Sequence, residues 1–152
     1  MQICRNGGIA ISFSQRLERK QGNGDDSALN TICLQCSTGG EICSRRGFWG
    51  DWARSSTSSD GFNKANLSFE PNQGGGDDSA ANQLILYNTD TGSRSYTTGQ
   101  PNFWGHWLGS QRCPTGERIC GLQTRVERTQ GRGDDSALNG VILQCCGKIK
   151  YY

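Results

Sequence analysis

The ten-residue segment QGxGDDSAxN occurs three times, starting at Gln21, Gln73 and Gln130. Spacings of 52 and 57 residues mean that the chain is built from three similar modules. One supersecondary unit made three times is expected to give three similar sheets around a pseudo-threefold axis. The similarity runs beyond the core. A glutamate stands six residues before the Gly of each GDDS: Glu18, Glu70 and Glu127. Leu17, Phe69 and Val126 precede them, and apolar residues follow the core at Ile32, Leu84 and Val141, then at Leu34, Leu86 and Leu143. Each module therefore reads as strand, Gly-rich turn, strand. The first strands are ISFSQRLE, NKANLSFE and CGLQTRVE, and the second are NTICLQC, NQLILYN and NGVILQC. Their partial alternation of apolar and polar residues fits half-buried strands. In the turns, glycine reaches positive φ, and Asp and Ser side chains accept hydrogen bonds from nearby backbone N–H groups.

A second motif occurs twice, as FWGDW over Phe48 to Trp52 and FWGHW over Phe103 to Trp107. Trp49 and Trp104 precede the Gly of the next GDDS by 27 and 29 residues. Counted that way, the matching element of the first module falls before Met1. The closing GKIKYY is too short to replace it fully. One wall is thus expected to have an open edge, which could pair with another chain.

The 22 glycines and the lack of long helical periodicity point to an all-β chain rich in turns. The 152 residues are expected to form a single domain, with modules at about 1–40, 41–92 and 93–152. A net charge of +2 supplies no strong field for nucleic acid or an anionic membrane. No apolar run is long enough to span a bilayer, and Met1-Gln2-Ile3-Cys4 is not followed by the apolar stretch of a signal peptide.

The cysteines carry positional information. Cys4 and Cys113 lie 20 residues before the turn glycine of their modules, and Cys36 and Cys145 lie 12 after it. The second module has Ser56 and Asn88 at these two offsets. Two cysteines lost together are expected to be partners, which predicts Cys4–Cys36 and Cys113–Cys145. Either bond would contribute about 3–4 kcal/mol in the chain-entropy account. Spacing leaves the pairing of Cys33, Cys43, Cys120 and Cys146 open, with Cys33–Cys43 and Cys120–Cys146 preferred. Disulfides imply an oxidising compartment, so a secreted protein is expected. With no opposed CxxC pairs and His106 as the one histidine, neither a zinc site nor any other metal or cofactor is expected.

The GDDSALN cores, the WGxW elements, the stretch from Ile119 to Glu127 and the paired Cys145-Cys146 resemble the vitelline membrane outer layer protein family. The resemblance covers essentially the whole chain. It implies a secreted β-prism, in which three antiparallel Greek-key sheets form the walls of a triangular prism. It also implies a place in egg coats or other extracellular matrices.

Candidate sites follow from the repeats. The turns Gly24-Asp25-Asp26, Gly76-Asp77-Asp78 and Gly133-Asp134-Asp135 carry paired carboxylates. Calcium is one reading of them. Corner capping is the preferred one, because a fold needs the same corner in every wall and a catalytic site needs assembling once. Glu18, Glu70 and Glu127 could converge on sugar hydroxyls or support glycoside chemistry. The preferred reading is that each accepts hydrogen bonds from its own turn. Indoles stack on sugar rings, so Trp52, Trp107 and the neighbouring His106 are ligand-binding candidates, while one Trp of each WGxW pair is expected to pack internally. Arg132-Gly133-Asp134 reads as variation on a turn, because the equivalents are NGD and GGD. Asn66-Leu67-Ser68 is a glycosylation sequon inside an expected strand. No nucleophile stands beside a base, so no catalytic residue is expected. The expectation is a non-enzymatic structural protein of a coat or matrix, with glycoproteins or glycans as partners. The alternatives are a lectin-like module for chitin-type or other glycans and, behind it, a glycan-processing enzyme.

Overall fold

The computed structural model describes residues 1–17, 29–44, 51–70, 80–95, 106–107, 109–126 and 138–147. Among these residues the chain forms three antiparallel sheets of a β-prism and no α-helix. Sheet one has the order β4-β3-β2-β5, from β2 (Ala10–Leu17), β3 (Leu29–Cys36), β4 (Glu41–Cys43) and β5 (Asp51–Arg54). Sheet two is built on β6 (Lys64–Glu70) and β7 (Ala80–Asn88). Its edges are β8 (Ser93–Ser95) on β7, and β9 (His106–Trp107) and β10 (Gln111–Arg112) on β6. Sheet three has the order β1-β11-β12, from β1 (Gln2–Ile3), β11 (Glu117–Val126) and β12 (Leu138–Gly147).

The central hairpin repeats to the level of single residues. Register shifts fall between Arg16 and Leu17, between Ser68 and Phe69, and between Arg125 and Val126, just before the glutamate of each module. An extra residue at that point bends a strand and strengthens its twist. The core draws on all three sheets: Phe13, Ile32 and Leu34 from the first, Leu84 and Leu86 from the second, Ile119 and Leu122 from the third. Phe13 meets Phe62 edge to face, with ring centroids 6.2 Å apart. The expectation of half-buried strands holds for β12, where Ile142 faces outward at 56% exposure. It does not hold for β3, where Thr31 and Cys33 are buried as fully as Ile32 and Leu34. On that face the Cys33–Cys43 disulfide draws β4 against β3.

The WGxW elements sit differently from the expected assignment. β5, the end of FWGDW, pairs with β2, and β9, the end of FWGHW, pairs with β6. Each therefore closes the wall of the module before it. The chain then crosses to start the next wall. Counting from the following turn hid this, because sequence distance does not reveal which strand edge is vacant.

The disulfides show how the walls are joined. Cys4 follows β1 of sheet three and is bonded to Cys36 of sheet one. Cys113 follows β10 of sheet two and is bonded to Cys145 of sheet three. Both bonds cross a seam between walls. Cys33–Cys43 and Cys120–Cys146 instead tie neighbouring strands within a sheet. The seam between sheets one and two carries Ser56 and Asn88 at the corresponding positions; Ser56 Oγ lies 3.4 Å from Ser95 Oγ of β8, and Asn88 fastens the turn after β7 to the segment before β6. Asn88 is fully buried, and its Nδ2 donates to the Gly61 carbonyl at 2.9 Å. Its Oδ1 accepts from the N–H groups of Asp90 and Thr91 at 2.9 and 3.2 Å. Gln15 is also fully buried, and it bridges the seam between sheets one and two. Its Nε2 donates to the Leu84 carbonyl at 3.0 Å, and its Oε1 accepts from the Leu84 N–H at 2.8 Å. Asn88→Ala would leave several polar groups unpaired and is expected to cost about 2–3 kcal/mol in urea unfolding of the oxidised protein.

One arginine links sheets two and three. Arg118 is 3% exposed. Its Nε donates to the Asp60 carbonyl at 2.9 Å, and its Nη2 pairs with the Asp90 carboxylate at 2.6 Å. With the Glu117 carbonyl, which accepts from Nη1 at 3.0 Å, the planar guanidinium serves three acceptors at once, which a lysine ammonium at the same place would do poorly.

Candidate functional site

The outer face of sheet one presents an aromatic side chain beside a cation. Arg16 and Trp52 are opposite one another on β2 and β5, so their side chains share a face. Their neighbours Gln15 and Ala53, also opposite one another, point inward and are buried. Alternation along the strands therefore forces Arg16 and Trp52 outward. Trp52 is 45% exposed, and the Arg16 guanidinium carbon lies 5.9 Å from the indole centroid. That distance is within reach of a cation–π contact. With the guanidinium over the ring, the exposed part of the indole can still stack a sugar ring.

Sheet two has the same backbone arrangement. Trp107 is opposite Ser68, and His106 is opposite Phe69. Ser68 and Arg16 hold equivalent repeat positions, but Ser68 is 1% exposed. Of the candidate glutamates, Glu70 ends β6 with its backbone opposite Ala80. Glu18 and Glu127 lie outside the described residues, as do Trp49, Trp104, the three GDDS turns and the RGD tripeptide. The sequon Asn66-Leu67-Ser68 lies on β6, with Ser68 buried and Asn66 partly so.

Among the described residues, Cys33, Glu41 and Cys43 group closely enough to hold an ion. The two sulfurs are bonded to each other, so they offer no thiolates. Arg16 was not singled out from sequence, although a signal for it exists. It stands two residues before the module glutamate, as do Ser68 and Arg125, and the strands that close the first two walls set a tryptophan against this position.

These features define a disulfide-stapled β-prism with an exposed aromatic residue on one wall. The family profile described as vitelline membrane outer layer protein I matches residues 1–148. A human vitelline membrane outer layer protein 1 homolog is 35% identical over 155 residues, spanning 95% of this chain and 74% of that protein. The mouse homolog is 32% identical over 154 residues, spanning 95% and 75%. The chain belongs to the vitelline membrane outer layer protein family.

Proposed function

We propose that this protein is a secreted structural component of an extracellular coat or matrix, and that it works by packing rather than by catalysis. The observation that carries the reading is the way its walls are joined. Covalent bonds cross two seams, and the fully buried Gln15 amide bridges the third. A body braced in this way keeps its shape outside the cell, where thiols stay oxidised. The names of the human and mouse relatives, each a homolog of a vitelline membrane outer layer protein, support a coat. The described residues include no helix long and apolar enough to cross a membrane.

Self-association fits this role. Among the described residues, β1 covers β11 only opposite Gly121 and Leu122. The stretch Gln123–Val126 is the repeat equivalent of the stretches that β5 and β9 cover on the other walls. A strand from a neighbouring molecule could add there through backbone hydrogen bonds. Sedimentation equilibrium is expected to show mass rising with concentration. A constant monomer mass up to millimolar protein would count against strand addition.

The exposed Trp52 beside Arg16 favours a second reading, a lectin-like module. A glycan array with the oxidised protein, including chitin-type oligosaccharides, separates the two. The structural reading expects no saturable signal. Saturable binding that falls tenfold or more in Trp52→Ala would establish the lectin instead.

A further inference from the structure

Four side chains stand in register across the outer face of sheet two. Arg112 of β10 is opposite Lys64 of β6, Lys64 is opposite Tyr87 of β7, and Tyr87 is opposite Arg94 of β8. Residues directly opposite one another share a face. Leu86 and Asn88, on either side of Tyr87, are fully buried. Next to Lys64, Asn63 is buried and Ala65 packs against the core. Alternation therefore turns the row outward. Arg112 and Arg94 are exposed, and Lys64 and Tyr87 are partly buried. With strands about 4.8 Å apart, three cations and a phenol span about 14 Å. Arg112 and Lys64 are immediate neighbours, and like charges so placed oppose folding. Among the described residues neither is paired with a carboxylate. The Lys64 ammonium lies 4.8 Å from the Tyr87 ring centroid, and Arg112 Nη2 donates to Thr89 Oγ1 at 2.9 Å.

The repeat shows that the fold does not require this row. Ser12 and Gly121 hold the place of Lys64 in the other modules, and Gln35 and Gln144 hold that of Tyr87. In sheet one the row continues to Glu41, and its members bond to one another. Ser12 Oγ donates to Gln35 Oε1 at 2.9 Å, and Gln35 Nε2 donates to Glu41 Oε2 at 3.0 Å. In sheet three the row reads Ile3, Gly121 and Gln144. A feature the fold needs recurs in every wall, whereas a binding site is assembled once, and this row is cationic on one wall only. We propose that the outer face of sheet two binds an acidic segment of another protein, with its carboxylates seated on Arg112, Lys64 and Arg94. Guanidinium forks receive carboxylates through paired N–H donors, and one bond to Thr89 leaves most of the Arg112 donors for a ligand. The Lys64 ammonium covers one face of the Tyr87 ring, which leaves less of it to stack a sugar and favours a peptide over a saccharide. An extended segment of about five residues covers the span of the row. The site rests on the reading that the protein packs against other proteins, and it gives the chemistry of one such partner.

The test uses two short fluorescein-labelled peptides, one alternating glutamate with serine and one alternating glutamine with serine. Anisotropy is read as the oxidised protein is added. The glutamate peptide is expected to bind saturably at low salt, and the glutamine peptide is not. Arg112→Gln and Lys64→Gln should each weaken binding by about tenfold, the worth of one charge-assisted hydrogen bond. Arg5→Gln removes the same charge from an exposed position outside the row and should change affinity by less than about twofold. Amide NMR shifts from the glutamate peptide should centre on Lys64, Tyr87, Arg94 and Arg112. Absence of saturable binding would overturn the proposal. Equal losses in Arg5→Gln and Arg112→Gln would also do so, because net charge alone would then explain the binding. Saturable binding of heparin to the row without binding of the glutamate peptide would assign the row to sulfated glycans instead. Lys64→Gln removes no hydrogen bond among the described residues, so it keeps the test decisive where Arg112→Gln disturbs the Thr89 contact. The probe is a free peptide, so failure here leaves retention by the matrix itself to judge the coat role.

Discussion

Phe13→Ala is expected to lower stability by about 3–5 kcal/mol, the range for removing a fully buried aromatic ring. Phe13 is 0% exposed and meets Phe62 edge to face, so its loss removes both the transfer free energy and a ring contact. The second module carries Ala65 at the same place and has a cleft beside it. The variant is therefore expected to open a comparable void in sheet one. Urea unfolding followed by tryptophan fluorescence checks the magnitude. A loss below about 1 kcal/mol would mean that the neighbouring walls collapse into the space.

Replacing Cys4 and Cys36 together by serine is expected to cost about 3–4 kcal/mol, as for a closed loop of this length. The bond joins positions 32 apart and crosses from sheet three to sheet one. Its loss frees β1, which pairs with β11 only through Gln2 and Ile3. The Cys4 N–H donates to the Cys120 carbonyl at 2.8 Å, and that bond should open more often in the variant. Hydrogen exchange should therefore quicken at Cys4, at Gly121 and along the start of β2, while the β6–β7 hairpin keeps its protection. For a chain of this size the melting temperature should fall by roughly 10 °C. Uniform loss of protection in all three sheets would show that the seam does not open separately.

The sequence is informative about the walls because each wall is made from the same local instructions. The glutamates, the turn glycines and the flanking apolar residues recur at matched offsets, and the register shifts fall beside them. Cys4, Cys36, Cys113 and Cys145 are read by their joint replacement at Ser56 and Asn88, and the structure contains both bonds. The closing strands are less legible. That β5 and β9 join the preceding wall depends on which edge is free, and this is a property of the assembled sheets. The seams are harder still. Nothing local marks Gln15 as a bridge to Leu84, 69 residues away, or Arg118 as a tie to Asp60 and Asp90. Trp52 shows the same limit. Spacing groups it with Trp49, and only its position opposite Arg16, with Gln15 and Ala53 turned inward, shows that it faces outward.

The coat reading is tested most directly by co-sedimentation of the oxidised protein with isolated egg-coat matrix, before and after enzymatic removal of the matrix glycans. The account predicts saturable retention that survives deglycosylation, persists in Trp52→Ala and is lost when the disulfides are reduced. Retention that disappears with the glycans, or that free chitin oligosaccharides compete away, would contradict it.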